Sequence, residues 1–224
     1  MHHPKQHGFT LIEMLIVVTV IAILASMAIP NLLASRVTTN ESVVIGALRS
    51  IVTAQLQCQS RAIVDLDGDG RGEALGLDEL CGIRPLRSGA GTLNPPALPQ
   101  SLGILDAQGN APGRGYLLRL CLPDAGGAGI PATAANANAV NADHAEIYWT
   151  CVAWPQSRAV TGNATFFTNQ TGDILKTIEG NYDGATNVPP AGAALTGSAP
   201  NQILGATPAT TGVAADGNRW TIVR

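Results

Sequence analysis

From Met14 to Ser35 the chain carries no charged residue, and most positions are apolar. A run of that length meets the roughly 20 residues that a helix needs to cross a hydrocarbon layer about 30 Å thick. Whatever else the chain builds must therefore hang from one long apolar helix. Glu13 stands immediately before the run, inside the helical pattern that opens at Gly8-Phe9-Thr10-Leu11-Ile12. A charge deep in a bilayer costs roughly 2.5–3.5 kcal/mol even on the mildest insertion scale, so this carboxylate needs a partner. Met1 to Gly8 form a short leader that holds Lys5 and three of the four histidines. An ordinary secretory signal would use Ser26-Met27-Ala28 as its cleavage site. The charge at Glu13 and the length of the run both argue against that reading.

Gly8-Phe9-Thr10-Leu11-Ile12-Glu13 resembles the processing site of type IV pilins and of type II secretion pseudopilins. The resemblance implies that a prepilin peptidase cuts between Gly8 and Phe9 and methylates the new N-terminus on Phe9. It also implies that Glu13 is needed for assembly, pairing with the N-terminal amine of a neighbouring subunit. That pairing fits the physics, because a buried carboxylate that is costly alone is compensated when a cation meets it. Pro30 matches a helix-interior proline common in the family; it removes one backbone donor and is expected to kink or loosen the helix. The implied partners are further copies of the chain in a helical homopolymer, the inner-membrane assembly machinery, and the membrane before assembly. The implied location is the bacterial inner membrane for the precursor, then a cell-surface filament or a periplasmic pseudopilus.

Beyond Pro30 the helical period continues with a change of character. Val44, Leu48, Ile51, Gln55 and Cys58 share one side, and Ser42, Gly46, Arg49, Thr53, Gln57 and Ser60 the other. Four segments follow: a leader over 1–8, an apolar membrane or filament-core helix over 9–35, the amphipathic half of the same helix over 36–61, and a β-rich head with long surface loops over 62–224. A helix from Phe9 to Arg61 would be on the order of 80 Å long. Only its first half fits a bilayer, so the second half must pack on the head.

Asp65-Leu66-Asp67-Gly68-Asp69-Gly70-Arg71-Gly72-Glu73 places carboxylates at alternating positions before tight glycine turns. Oxygen-rich calcium loops use this pattern, which makes Asp65, Asp67, Asp69 and Glu73 candidate ligands. The twelfth position of an EF-hand-like loop, where a closing glutamate belongs, is Gly76, so a solvated acidic turn is the competing reading. No other cofactor is expected. Cys58, Cys81, Cys121 and Cys151 lack CxxC spacing and read as two disulfides in an oxidising compartment. Three connectivities are open. Cys58–Cys81 with Cys121–Cys151 is favoured, since each closes a local loop worth about 3 kcal/mol in the chain-entropy model.

Tyr116 to Leu122 and Ala145 to Trp154 alternate as strands, Thr165–Thr168 and Asp173–Lys176 read as a hairpin, and Arg219–Val223 as a last strand. The fold class is α+β: a long N-terminal helix packed against an antiparallel sheet, as in the pilin head that the resemblance implies. The stretch from Gly180 to Asn218 reads as an exposed, variable loop. With 13% charged residues, a net charge of −3 and no basic run, nucleic acid is not expected as a primary partner. His144 is the only histidine outside the leader, and neither a nucleophile elbow nor a phosphate loop is present. An enzyme is not expected. The main reading is a structural subunit of a type IV pilus; the alternatives are a type II secretion pseudopilin and a minor pilin acting as a binding module.

Overall fold

The computed structural model describes residues 9–197 and 199–223. The leader, Gly8 included, lies outside the described residues. One helix, α1 (Leu11–Gln59, 49 residues), makes the stalk and continues through Pro30 without a break. At 1.5 Å per residue it is about 74 Å long. Its outer half stands free, with Phe9 77% and Leu11 84% exposed and large apolar side chains exposed as far as Leu33. From Val44 onward one side is buried: Val44, Leu48, Ile51, Ala54, Gln55 and Cys58. This is the stripe that the sequence period predicts, with Ala54 added.

The head is an antiparallel sheet. Its strands are β1 (Ala111–Gly113), β2 (Tyr116–Pro123), β3 (Gly129–Pro131), β4 (Thr150–Pro155), β5 (Thr165–Asn169) and β6 (Ile174–Thr177). A short ribbon of β7 (Leu195–Thr196) and β8 (Thr207–Pro208) stands apart, and β9 (Thr221–Ile222) returns to the sheet. The order is β1-β2-β4-β5-β6-β9, with β3 on the free side of β2. Short helical turns α2 (Leu77–Leu80) and α3 (Ala142–Ala145) sit in the connections. The second predicted strand therefore starts late, at Thr150. Asn141 caps α3 by accepting from the His144 N–H, which holds residues 142–145 helical.

Two apolar layers flank the sheet. Leu118, Leu120, Cys151, Ala153 and Phe166 face α1. Leu117, Cys121, Val152, Trp154 and Phe167 face away from it. The alternation follows from the two-residue strand period. The second layer is covered by the segment that the sequence suggests is an exposed loop. Tyr182, Ala191, Ala193, Ala194, Leu195, Ile203, Ala206, Ala209 and Trp220 are buried there against the sheet. Small side chains let an irregular chain lie close to the strands, which is why low complexity here marks a thin covering layer. The expectation of an exposed loop is corrected accordingly.

The favoured disulfides are not formed in this structure. All four cysteines are buried and unbridged. Cys151 pairs in register with Leu120, and Cys121 with Thr150. Cys121 and Cys151 thus belong to opposite faces of the sheet, one in each apolar layer, and a one-residue offset in register is enough to separate them. Cys58 and Cys81 share the α1-side core, but the Cys81 thiol turns to the Pro99 carbonyl at 3.2 Å. Burial pushes the Cys81 and Cys121 thiols up to about 12. Burial, and then the nearby Cys121, raise Cys151 further. Few thiolates exist at neutral pH, so exchange is suppressed.

Candidate functional site

The free end of α1 is built around one polar pair. Thr10 is the N-cap, with φ −81° and ψ 154°, and its hydroxyl accepts from the Glu13 N–H at 3.3 Å. In return Glu13 Oε2 accepts from the Thr10 N–H at 2.7 Å and from the Thr10 hydroxyl at 2.8 Å. This reciprocal capping box satisfies orphan donors of the first turn and places the carboxylate beside the positive end of the helix dipole. Sequence reasoning singled out Glu13 and passed over Thr10. Threonine three residues before a glutamate, ahead of an apolar run, is the signal that names it. Among the described residues Glu13 Oε1 accepts no hydrogen bond, so one carboxylate oxygen remains for an outside donor.

The rest of the outer half presents little else that is polar. The Thr19 hydroxyl donates to the Leu15 carbonyl at 2.7 Å and the Ser26 hydroxyl to the Ile23 carbonyl at 2.7 Å. Asn31 donates to the Met27 carbonyl at 3.2 Å, one turn below Pro30. Back-bonding of this kind hides the hydroxyls from an apolar surrounding. The helix is long and apolar enough to cross a membrane.

The inner half is tied to the head by named bonds. Asn40 donates to the Thr161 carbonyl at 2.9 Å. Glu41 accepts from the N–H groups of Asn163 and Ala164 and lies 3.9 Å from the Lys176 ammonium. Gln55, fully buried, donates to the Leu75 carbonyl at 2.7 Å and accepts the Leu75 N–H at 2.9 Å. Gln59 donates to the Glu146 carbonyl at 2.9 Å. Gly72 packs against the Gln59 backbone so closely that a Cβ there would overlap it.

These last contacts set the acidic loop at the end of the stalk. Asp65 accepts from the N–H groups of Gly68 and Gly70, Asp67 from Asp69, and Asp69 from Arg71. The carboxylates of Asp65, Asp67 and Asp69 gather within 4.8 Å of one another, and so do those of Asp67, Asp143 and Glu146. Asp143 and Glu146 come from the α3 region and were invisible to a local reading of the loop. Glu73 does not join the group. It is buried, with Oε1 accepting the Leu66 N–H at 2.8 Å and Oε2 lying 3.5 Å from the Arg87 guanidinium. For Asp67, the bond from the Asp69 N–H pulls its carboxyl down. Desolvation and the neighbouring Asp69 and Asp143 outweigh that bond and leave it above the ordinary range. Oxygen-only donors of this kind suit a hard divalent cation. Asp65, Asp67 and Asp69, or Asp67, Asp143 and Glu146, would hold it, while Glu73 is turned into the core. His144 lies outside this group, its Nδ1 set 3.1 Å from the Asp124 carbonyl.

Comparison with known proteins finds short matches. The family model described as the prokaryotic N-terminal methylation motif matches residues 3–29. The type IV wide pilus major component PilA4 of Thermus thermophilus is 56% identical over 48 residues, which cover 21% of this chain and 37% of that protein. The type IV major pilin protein PilA of Myxococcus xanthus is 43% identical over 53 residues, which cover 24% of each chain. The chain thus spans well under half the length of these curated relatives. No solved structure matches it. Over short matches, and with the methylation-motif model over residues 3–29, this chain is similar to type IV pilins, and these likenesses support a place in the type IV pilin superfamily.

Proposed function

We propose that the chain is a structural subunit of a type IV pilus, assembled through α1 and displaying its head on the cell surface for adhesion, motility or uptake. The observation that carries this reading is the free half of α1: a long apolar surface on a folded chain, whose one charged group from Phe9 to Ser35 is a capped carboxylate. Such a surface is stable in a bilayer or among copies of itself, and not in water. Cleavage after Gly8 would put an amine on Phe9, and the free oxygen of Glu13 is positioned to receive the amine of a neighbour. The membrane then holds the precursor, and the filament core replaces it.

The matches cover only 37% and 24% of the two named relatives, so the pilus role is inferred from part of each. The pseudopilin and minor-pilin readings use the same stalk. Calcium belongs to the proposal as the ion that the acidic loop would take, with the changed ligand set given above. The experiment is Glu13→Ala in the full chain, with membrane insertion and sheared surface filaments measured together. Insertion should persist while filaments disappear. Normal filaments from the variant would refute the role given to Glu13. Absence of the wild-type chain from purified surface filaments would refute the pilus reading itself.

A further inference from the structure

The polar flank of α1 carries a groove that the packing of the subunit does not use. Arg49, Ser50, Thr53 and Gln57 line a space of about 330 Å³ with Ala97. Gln57 and Arg61 continue into a second space of about 130 Å³, walled by the Leu93–Ala97 segment. No carboxylate lines either space. Among the described residues neither guanidinium forms an ion pair.

The opposite flank has the opposite character. Gln59 lies two residues beyond Gln57, about 160° away around a helix of 3.6 residues per turn. It anchors the acidic corner through the Glu146 carbonyl. There Asp65, Asp67, Asp69, Asp143 and Glu146 face one guanidinium, that of Arg71, at 3.8 Å from Asp69 and 3.6 Å from Glu146. The Arg71 side chain is 72% exposed, so it neutralises the corner weakly.

We propose that the Arg49–Gln57–Arg61 groove of one copy receives the Asp65–Asp69 loop of a second copy. Two observations support this occupant. The charges are complementary: among the described residues the guanidinium groups of Arg49 and Arg61 form no ion pair, and the acidic corner is offset only by the exposed Arg71. Groove and loop lie at the same end of α1, so copies placed side by side around an axis bring one to the other. Because the two patches differ and sit on opposite flanks, the contact is heterologous and propagates from copy to copy without closing on itself. The pairing rests on the filament reading and adds to it a partner surface on the head.

The test is cross-linking in sheared filaments of the full chain, with chelator present. Arg61→Cys combined with Asp67→Cys, treated with a short thiol-to-thiol reagent, should give a ladder of dimers and higher species that neither single variant gives. The four native cysteines are buried and should stay silent. Arg49→Glu with Arg61→Glu should cut filament yield at least tenfold, and adding Asp67→Lys with Asp69→Lys should restore it. Filaments that form without the ladder, or a loss of yield that the reversed loop fails to restore, overturn the pairing while leaving the filament reading in place. If the unaltered chain gives no filaments, both readings fall together.

Discussion

Gln55→Leu probes the junction between stalk and head. Gln55 bridges both backbone groups of Leu75 from within the core, at 2.7 and 2.9 Å. Leucine has similar bulk, so the substitution keeps the packing and removes both bonds. The N–H and the carbonyl of Leu75, itself fully buried, then lose their partners. Each orphaned group costs about 1–3 kcal/mol. The amide no longer has to be desolvated, which offsets part of that, leaving a net loss of about 2–4 kcal/mol. With a urea slope of about 2 kcal/mol per molar, the midpoint should fall by about 1–2 M. The assay is urea unfolding of the detergent-solubilised chain, followed by the fluorescence of Trp149, Trp154 and Trp220, all buried. Gln55→Ala should fall further because it also leaves a cavity. A leucine variant within about 0.3 M of the parent midpoint, beside a strongly weakened alanine variant, would show that packing alone holds the junction and would refute the hydrogen-bond argument.

Three other outcomes are expected. Thr10→Ala removes the N-cap hydroxyl at a cost of about 1 kcal/mol; hydrogen exchange at the Glu13 amide should accelerate about fivefold, and Thr10→Ser should restore it. Calcium titration of the full chain should show binding that Asp67→Ala abolishes and Glu73→Gln preserves, since Glu73 points into the core; no heat from the parent chain would leave the loop a solvated turn. For Glu73 itself, burial raises the carboxyl above its ordinary 4.5 against the pull of the Leu66 N–H and Arg87. A raised acid stabilises the fold fully below its unfolded value, and that contribution is lost as pH rises through the folded one. Stability measured by urea midpoint should therefore decline as pH rises past 4.5, and Glu73→Gln should flatten that limb.

The stalk was readable in the sequence because its determinants are local. The 3.6-residue period fixes the buried side from Val44 to Cys58, and an uncharged run fixes the free side. Even Gln55, polar yet on the core face, was in its place on the period. Strand pairs joined by short turns were likewise legible, as with β5 and β6 across Gly172. What is not legible locally depends on long-range register. Neighbouring strands suggest a Cys121–Cys151 pairing, and one residue of offset puts the thiols on opposite faces. Glu73 looked like a ligand from its spacing, yet Arg87, fourteen positions on, draws it inward. Asp143 and Glu146 reach the acidic corner only because α3 folds back beside α1.

The Ala- and Gly-rich segment between Tyr182 and Trp220 has a consequence for how such a subunit can change over time. Ala191, Ala193, Ala194, Ala206, Ala209 and Ala214 are fixed by the sheet beneath them, while Gly197, Gly205, Gly212 and Gly217 turn toward open space. Inward and outward positions thus answer to different demands. Substitutions on the outside alter the exposed face of the head and leave the strands, the junction and the stalk untouched. In the filament proposed above, a population could renew that face repeatedly while the parts that assemble it stay the same.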